Sequence, residues 1–205
     1  MTGGSLIPGV LTQIYGPPGC GKTNLGLIAS SMHAGEGKVV YIDPEGGFNT
    51  KRLGQICGDS LHEVLENILL VEPTSFREQI ESLKRLDMLV PSNNAGLVVL
   101  DSVALLYRVL EERDIKEYGR MLAMLLRVAR KYDARVLMTN QVYTNIDTNE
   151  ITPVGGQINE YWSKVIIELG FDGDERFGVI RKHLHEPTGE KKGFRIVDEG
   201  IRLTG

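Results

Sequence analysis

Eight residues near the N-terminus, Gly16-Pro17-Pro18-Gly19-Cys20-Gly21-Lys22-Thr23, have the types and spacing needed to hold a polyphosphate. Glycines 16, 19 and 21 let backbone amides approach phosphate oxygens, and a helix opening at Lys22 turns its positive end toward the same anion. Lys22 adds a mobile charge for the β- and γ-phosphates, while the Thr23 hydroxyl is placed to ligate a magnesium ion. Pro17, Pro18 and Cys20 complete the loop and Asn24 follows it, so Gly16 to Asn24 form the candidate cofactor-binding run. The implied ligands are ATP and Mg2+. A fortuitous glycine-rich turn would not also carry the strand before and the helix after that this chemistry requires.

Three more polar residues stand where apolar runs end. Asp101 closes Leu97-Val98-Val99-Leu100, a position from which a carboxylate orients or neutralises the metal. Taken alone it reads better as a turn or helix-capping residue, and the phosphate loop is what turns the balance to the metal role. Glu45, in Asp43-Pro44-Glu45-Gly46-Gly47, is either the general base that polarises the attacking water or a solvated loop acid. Gln141 is a candidate sensor of the γ-phosphate, with an ordinary turn as the alternative. Cys20 reads as a small loop filler, because only the helix end is there to activate its thiol.

The elements that must position these residues alternate. Val10 to Tyr15 is an expected strand, followed by the loop and a helix from Lys22 that Gly35 and Gly37 terminate; Val39 to Ile42 is a second strand. Ile68 to Val71 follows as a third. Ser75 and Glu78 have capping-box spacing ahead of a helix burying Phe76, Ile80 and Leu83, and Pro91 to Gly96 is expected to break it. Leu97 to Leu100 has the continuous apolar character of a central parallel strand. A helix from about Lys116 to Tyr132, with Tyr118, Leu122, Leu125 and Ala129 at helical spacing, precedes a strand from Arg135 and the polar pair Asn140-Gln141. Such alternation implies an α/β fold, a mostly parallel sheet with helices on both faces. Val165 to Leu169, Phe177 to Ile180 and Phe194 to Val197, separated by turn-rich segments, suggest an antiparallel meander at one sheet edge.

Length and composition exclude several classes. The 205 residues suit one core domain, without internal repeats or a linker. Hydrophobic residues at 41% and charged residues at 24% are ordinary for a globular chain. No apolar run reaches the roughly 20 residues of a membrane span, and Met1-Thr2-Gly3-Gly4 lacks the features of a signal peptide, so a cytoplasmic location is expected. Cys20 and Cys57 make no disulfide framework. A net charge of −4 argues against a surface coated with positive potential, so any DNA contact must be local.

Together these residues resemble the RecA/RadA recombinase family. Gly16 to Thr23, Tyr41-Ile42-Asp43-Pro44-Glu45-Gly46-Gly47-Phe48, Leu97 to Ser102 and Met138-Thr139-Asn140-Gln141-Val142 are similar to its four core motifs in order, and Pro153-Val154-Gly155-Gly156 to its segment after the second DNA-binding loop. Leu11 to Pro18 and the tail from Arg181 to Ile196 resemble the short archaeal paralogues, which lack the N-terminal DNA-binding domain. The resemblance implies a RecA-like P-loop NTPase core, Glu45 as hydrolytic base, Asp101 as metal-side acid and Gln141 as γ-phosphate switch. It further implies weak ATP turnover and DNA binding in repair and homologous recombination. The implied partners are single-stranded or branched DNA, the main RadA recombinase and a Holliday-junction resolvase, at the nucleoid. Tyr107 to Glu117, where the first DNA loop should lie, is short and acidic, which argues against autonomous strand exchange. With no polymerisation segment before the core, a monomer or dimer is expected over a filament.

The best local supply of cations for DNA is Arg176, Arg181, Lys182, His183, His185, Lys191, Lys192 and Arg195 on the meander, but Asp172, Asp174, Glu175, Glu186 and Glu190 are interleaved, as in a mixed solvated surface. Lys182 is also the nearest candidate for a cation offered to a neighbouring subunit's γ-phosphate. Tyr143 is a base-stacking candidate that equally suits packing on its own domain. Arg120, Arg127 and Arg130 suit the wet face of the long helix. Three classes remain: a recombination-associated ATPase, a nucleotide-gated DNA-binding adaptor with negligible turnover, and a small phosphotransferase, for which an arginine-bearing lid is missing. ATP is expected to order the loop after Gln141, Thr144 to Asn149, and hydrolysis to relax it.

Overall fold

A computed structural model of the chain describes residues 6–144 and 151–204. Strand β1 (Leu11–Tyr15) leads into helix α1 (Lys22–Ala34) and strand β2 (Lys38–Ile42). Two short helices, α2 (Thr50–Cys57) and α3 (Leu61–Glu66), precede β3 (Ile68–Val71), and α4 (Phe76–Asn93) returns the chain to β4 (Ala95–Leu100). After α5 (Leu105–Arg108) and the long α6 (Ile115–Tyr132) come β5 (Arg135–Asn140) and a hairpin of β6 (Val142–Thr144) and β7 (Ile151–Pro153). Helix α7 (Gln157–Trp162) then feeds four successive strands, β8 (Ser163–Asp172), β9 (Glu175–Lys182), β10 (Lys191–Val197) and β11 (Gly200–Thr204).

Nine strands form one sheet in the order β11-β10-β9-β8-β1-β5-β4-β2-β3. From β8 to β3 all neighbours are parallel, and β9 to β11 add an antiparallel ribbon at one edge. The expected meander is therefore present with a fourth strand, β11. Alternation along β4 shows how the core is made: Val98 and Leu100 join Leu86, Met121 and Leu125 beneath α4 and α6, whereas Leu97 and Val99 join Leu27 and Leu53 beneath α1 and α2. A strand buried on both faces has no room for polar residues until it ends, so its first carboxylate, Asp101, appears at the carboxyl end of the sheet.

Two local expectations are refined. The segment Pro91 to Gly96 does end α4, but the stop falls at Asn94, which adopts φ 52°, and not at Pro91, which lies inside the last turn. Proline lacks the N–H that would bond the carbonyl four residues back, and that carbonyl, of Asp87, accepts instead from the Tyr132 hydroxyl at 2.8 Å. The capping box is displaced by one residue. Ser75 Oγ accepts from the Glu78 amide at 3.2 Å, but the Glu78 carboxylate turns back to the amide and hydroxyl of Thr74, at 2.8 and 2.9 Å.

Candidate functional site

Register places the site. Tyr15 lies opposite Asn140 on one side and Glu168 on the other, while Ile42 lies opposite Leu100, so the ends of β1, β2, β4 and β5 open on one rim. The phosphate loop leaves β1 at Gly16, whose absent side chain matters: an added Cβ would stand 2.3 Å from the Leu169 carbonyl oxygen. Gly21 begins α1 in the left-handed region at φ 108°, directing the first helical amides into the loop. Its other side packs on Phe194 and Ile196 of β10. Cys20 is fully buried behind the loop, and burial pushes its thiol up from the ordinary range against the pull of the Lys22 cation.

Lys22 folds back on its own loop, donating from Nζ to the carbonyls of Gly16 at 2.8 Å and Pro17 at 3.0 Å. Its ammonium is thus bonded at the mouth of the amide-lined bend. Thr23 and Asp101 are brought together, near enough for the Thr23 hydroxyl to act on the carboxyl's pKa. Asp101 accepts from Tyr41 Oη at 3.0 Å and from the Thr139 hydroxyl. Burial drives its carboxyl pKa upward, while the neighbouring hydroxyls of Thr139, Thr23 and Tyr41 act in the opposite sense.

Glu45 is held by a loop that Asp43 organises. The buried Asp43 carboxylate accepts from the amides of Glu45 and Gly47 at 3.1 Å each and from Phe48 at 2.7 Å, and the Phe48 ring packs edge-on against Tyr41. Glu45 Oε1 in turn accepts from Ser102 Oγ at 2.5 Å and from Gln141 Nε2 at 2.8 Å. Residues from three strand ends therefore meet on one carboxylate oxygen. Behind Gln141, its Oε1 accepts from Arg108 at 2.5 Å, and the Arg108 guanidinium lies 4.9 Å from the centre of the Tyr143 ring. Sequence reasoning missed Ser102 and Arg108. Ser102 adjoins Asp101 and was open to inspection on that ground, whereas nothing local marks Arg108.

Other predicted residues lie apart. Asn24 follows the loop, but its side chain accepts from Arg52 Nε at 2.7 Å and faces the β10–β11 turn, whose Val197 and Gly200 carbonyls Arg52 also binds. Lys182 donates to the Glu160 carbonyl. On the meander Arg181, Lys191, Lys192 and Arg195 pair with Glu168, Asp172, Glu190 and Glu175, so its cations are largely matched by acids. Arg127 pairs with Asp87, in keeping with a wet helix face. Tyr143 is 42% exposed and braced between Arg108 and Arg113, so it packs on its own domain while one edge stays open. Most of the segment Thr144 to Asn149, the expected switching loop, lies outside the described residues.

The family model described as Rad51 matches residues 1–203. The chain belongs to the Rad51 family. Within it the similarity is to RadB proteins. One relative, from Methanothermobacter thermautotrophicus, is 41% identical over 97% of this chain and 90% of its own length, and carries the name DNA repair and recombination protein RadB. Another of the same name, from Methanobrevibacter smithii, is 39% identical over 97% and 89%. A solved structure described as the RadB recombinase superposes with a TM-score of 0.84 at 38% identity, covering 97% of this chain and 92% of that one. Sheet, helices and C-terminal ribbon are thus those of a RecA-like core, as the four motifs implied.

Proposed function

We propose that this chain binds Mg-ATP at Gly16–Thr23, hydrolyses it slowly, and acts in DNA repair and homologous recombination as an accessory to a main recombinase. The observation that carries the reading is the convergence of Lys22, Thr23, Asp101, Glu45 and Gln141 on one rim of the sheet, with Glu45 and Gln141 in direct contact. The name of its relatives supplies the biological setting.

The donor set fits the ligands. Thr23 and Asp101 offer the oxygen donors a hard divalent cation prefers, and the bend from Gly16 to Gly21 offers amides and a lysine to an anion. A bound magnesium ion would neutralise charge building on the β- and γ-phosphates. The residues of the chain do the rest. Lys22 exchanges two backbone carbonyls for phosphate oxygens; Tyr41 and Thr139 keep the Asp101 carboxylate in place; Glu45 accepts a proton from the attacking water; Gln141 reports on the γ-phosphate to the β6–β7 hairpin that follows it.

Occupation of Glu45 Oε1 by Ser102 and Gln141 favours a second reading, an ATP-gated DNA-binding adaptor with negligible turnover, in which the base stays engaged. DNA affinity is expected to be weak and steeply salt-dependent, because phosphates must compete with the acids already paired on the meander. Phosphate release and DNA binding measured together across salt, with and without the partner recombinase, test both readings. Slow release that Glu45→Gln cuts by about 10²-fold supports the ATPase. Release equal to the no-enzyme blank, with nucleotide-dependent DNA affinity, supports the adaptor.

A further inference from the structure

Gln141 sits between a guanidinium and a carboxylate, and that placement fixes which way its amide points. A guanidinium carries five donors and no acceptor, and a carboxylate accepts only. The atom facing Arg108 must therefore be the carbonyl Oε1, at 2.5 Å, and the atom facing Glu45 must be the Nε2 group, at 2.8 Å. Without the guanidinium the amide is free to turn over, and its carbonyl would then face an anionic oxygen. Arg108 is itself restrained. Its guanidinium stacks 4.9 Å from the centre of the Tyr143 ring, and the Tyr143 hydroxyl accepts from Arg113 at 3.1 Å. Both arginines come from the short stretch between β4 and α6, and Tyr143 from the strand after Gln141.

We infer that Arg108, braced by Tyr143 and Arg113, is a positioning residue that sets the polarity of the Gln141 amide and so keeps Gln141 a donor to Glu45. The inference rests on the reading of Glu45 as the hydrolytic base. It gives the acidic stretch from Tyr107 to Glu117 a task other than DNA contact: it carries Arg108 and Arg113, the two arginines that hold the relay to the base. Because Arg108 acts through the Gln141 amide and Lys22 and the loop amides are the groups read as holding the phosphates, its loss is expected to fall on the chemical step rather than on nucleotide capture.

The test has two readouts. In the first, kcat and KM for ATP are measured on the full chain and on Arg108→Ala, Arg108→Lys, Gln141→Ala, the double variant Arg108→Ala/Gln141→Ala and Glu45→Gln. Arg108→Ala is expected to lower kcat about tenfold, with KM changed by less than about twofold. Arg108→Lys should restore part of the loss, since an ammonium still donates to Oε1, and the double variant should be no worse than Gln141→Ala alone. The second readout needs no nucleotide: in 15N-labelled chain, the side-chain NH2 pair assigned by its disappearance in Gln141→Ala should show a large proton shift difference that collapses in Arg108→Ala.

An unaltered NH2 pair in Arg108→Ala, or additive losses in the double variant, would overturn the role of Arg108 while leaving Glu45 as the base, provided Glu45→Gln is inactive. If Glu45→Gln turns over ATP normally, the base assignment fails first and this inference falls with it.

Discussion

Replacing Gly16 with alanine is a sharp test of how the phosphate loop is held. The new Cβ would lie 2.3 Å from the Leu169 carbonyl oxygen, 3.0 Å from its carbon and 2.9 Å from Cys20 Sγ. An ordinary carbon-to-oxygen contact is about 3.3 Å or more, so the overlap is about 1 Å. Leu169 cannot yield easily, because β8 is bonded to β1 on one side and β9 on the other. The loop must move instead. Overpacking of this kind costs about 3 kcal/mol, and for a chain of this length that is a fall in Tm of roughly 6–12 °C. A shift of about 1 Å in amides aimed at phosphates should weaken triphosphate binding by roughly 10²-fold. Gly46→Ala is the control, since nothing lies within 4 Å of its added Cβ and only its φ of +67° opposes the change. That strain is about 1 kcal/mol, or roughly 2–4 °C. Thermal unfolding followed by circular dichroism, with calorimetric titration of a non-hydrolysable ATP analogue, measures both. A Gly16→Ala protein that melts and binds like its parent would refute the packing argument.

Other outcomes follow from the same geometry. Lys22→Ala should abolish most triphosphate binding in a calorimetric titration while leaving the urea midpoint nearly unchanged, since its two bonds are to rim carbonyls. Tyr15→Phe, which removes a 2.7 Å bond to the buried Glu168, should lower unfolding free energy by about 1.5 kcal/mol. Arg181→Gln should cost less, below about 1 kcal/mol, because the Arg181 side chain is 49% exposed and its pair with Glu168 is screened; urea unfolding of the two variants gives the ranking. Burial and the Arg135 charge hold the His33 imidazole below its ordinary pKa. The unfolded chain then binds more protons as pH falls below about 6.5, so this residue makes stability decline on acidification from there until the folded pKa is passed. Urea midpoints at about pH 7.5 and pH 5.5 should converge in a His33→Gln variant relative to the parent.

The phosphate loop and the strand-end acids were legible as candidates because their chemistry is local: glycines, a lysine and a hydroxyl at fixed offsets, then a carboxylate at the first position after a doubly buried strand, itself only 1% exposed. Short elements were not. Helix α2, capped by Asn49 and stitched to the β10–β11 turn through Arg52, places Leu53, Ile56 and Cys57 on one face but is only 8 residues long and interrupted by Gly54. The β6–β7 hairpin and β11 are similarly brief. The break in Pro91 to Gly96 was legible, but not that Pro91 itself stays helical, because its penalty is relieved by Tyr132, a residue 41 positions away that no local pattern reveals. Arg108 escaped for the same reason, and Ser102, though beside Asp101, shows its role only through a distant partner. Their partners, Gln141 and Glu45, are reached only once β2, β4 and β5 lie side by side.

The most direct test of the central claim is a crystal structure of the chain grown with magnesium and a non-hydrolysable ATP analogue. The account predicts phosphates seated in the bend from Gly16 to Gly21, with Lys22 Nζ moved from the Gly16 and Pro17 carbonyls onto them and the cation beside Thr23 on the side of Asp101. A nucleotide bound elsewhere, with Lys22 still folded on its own loop, would contradict it.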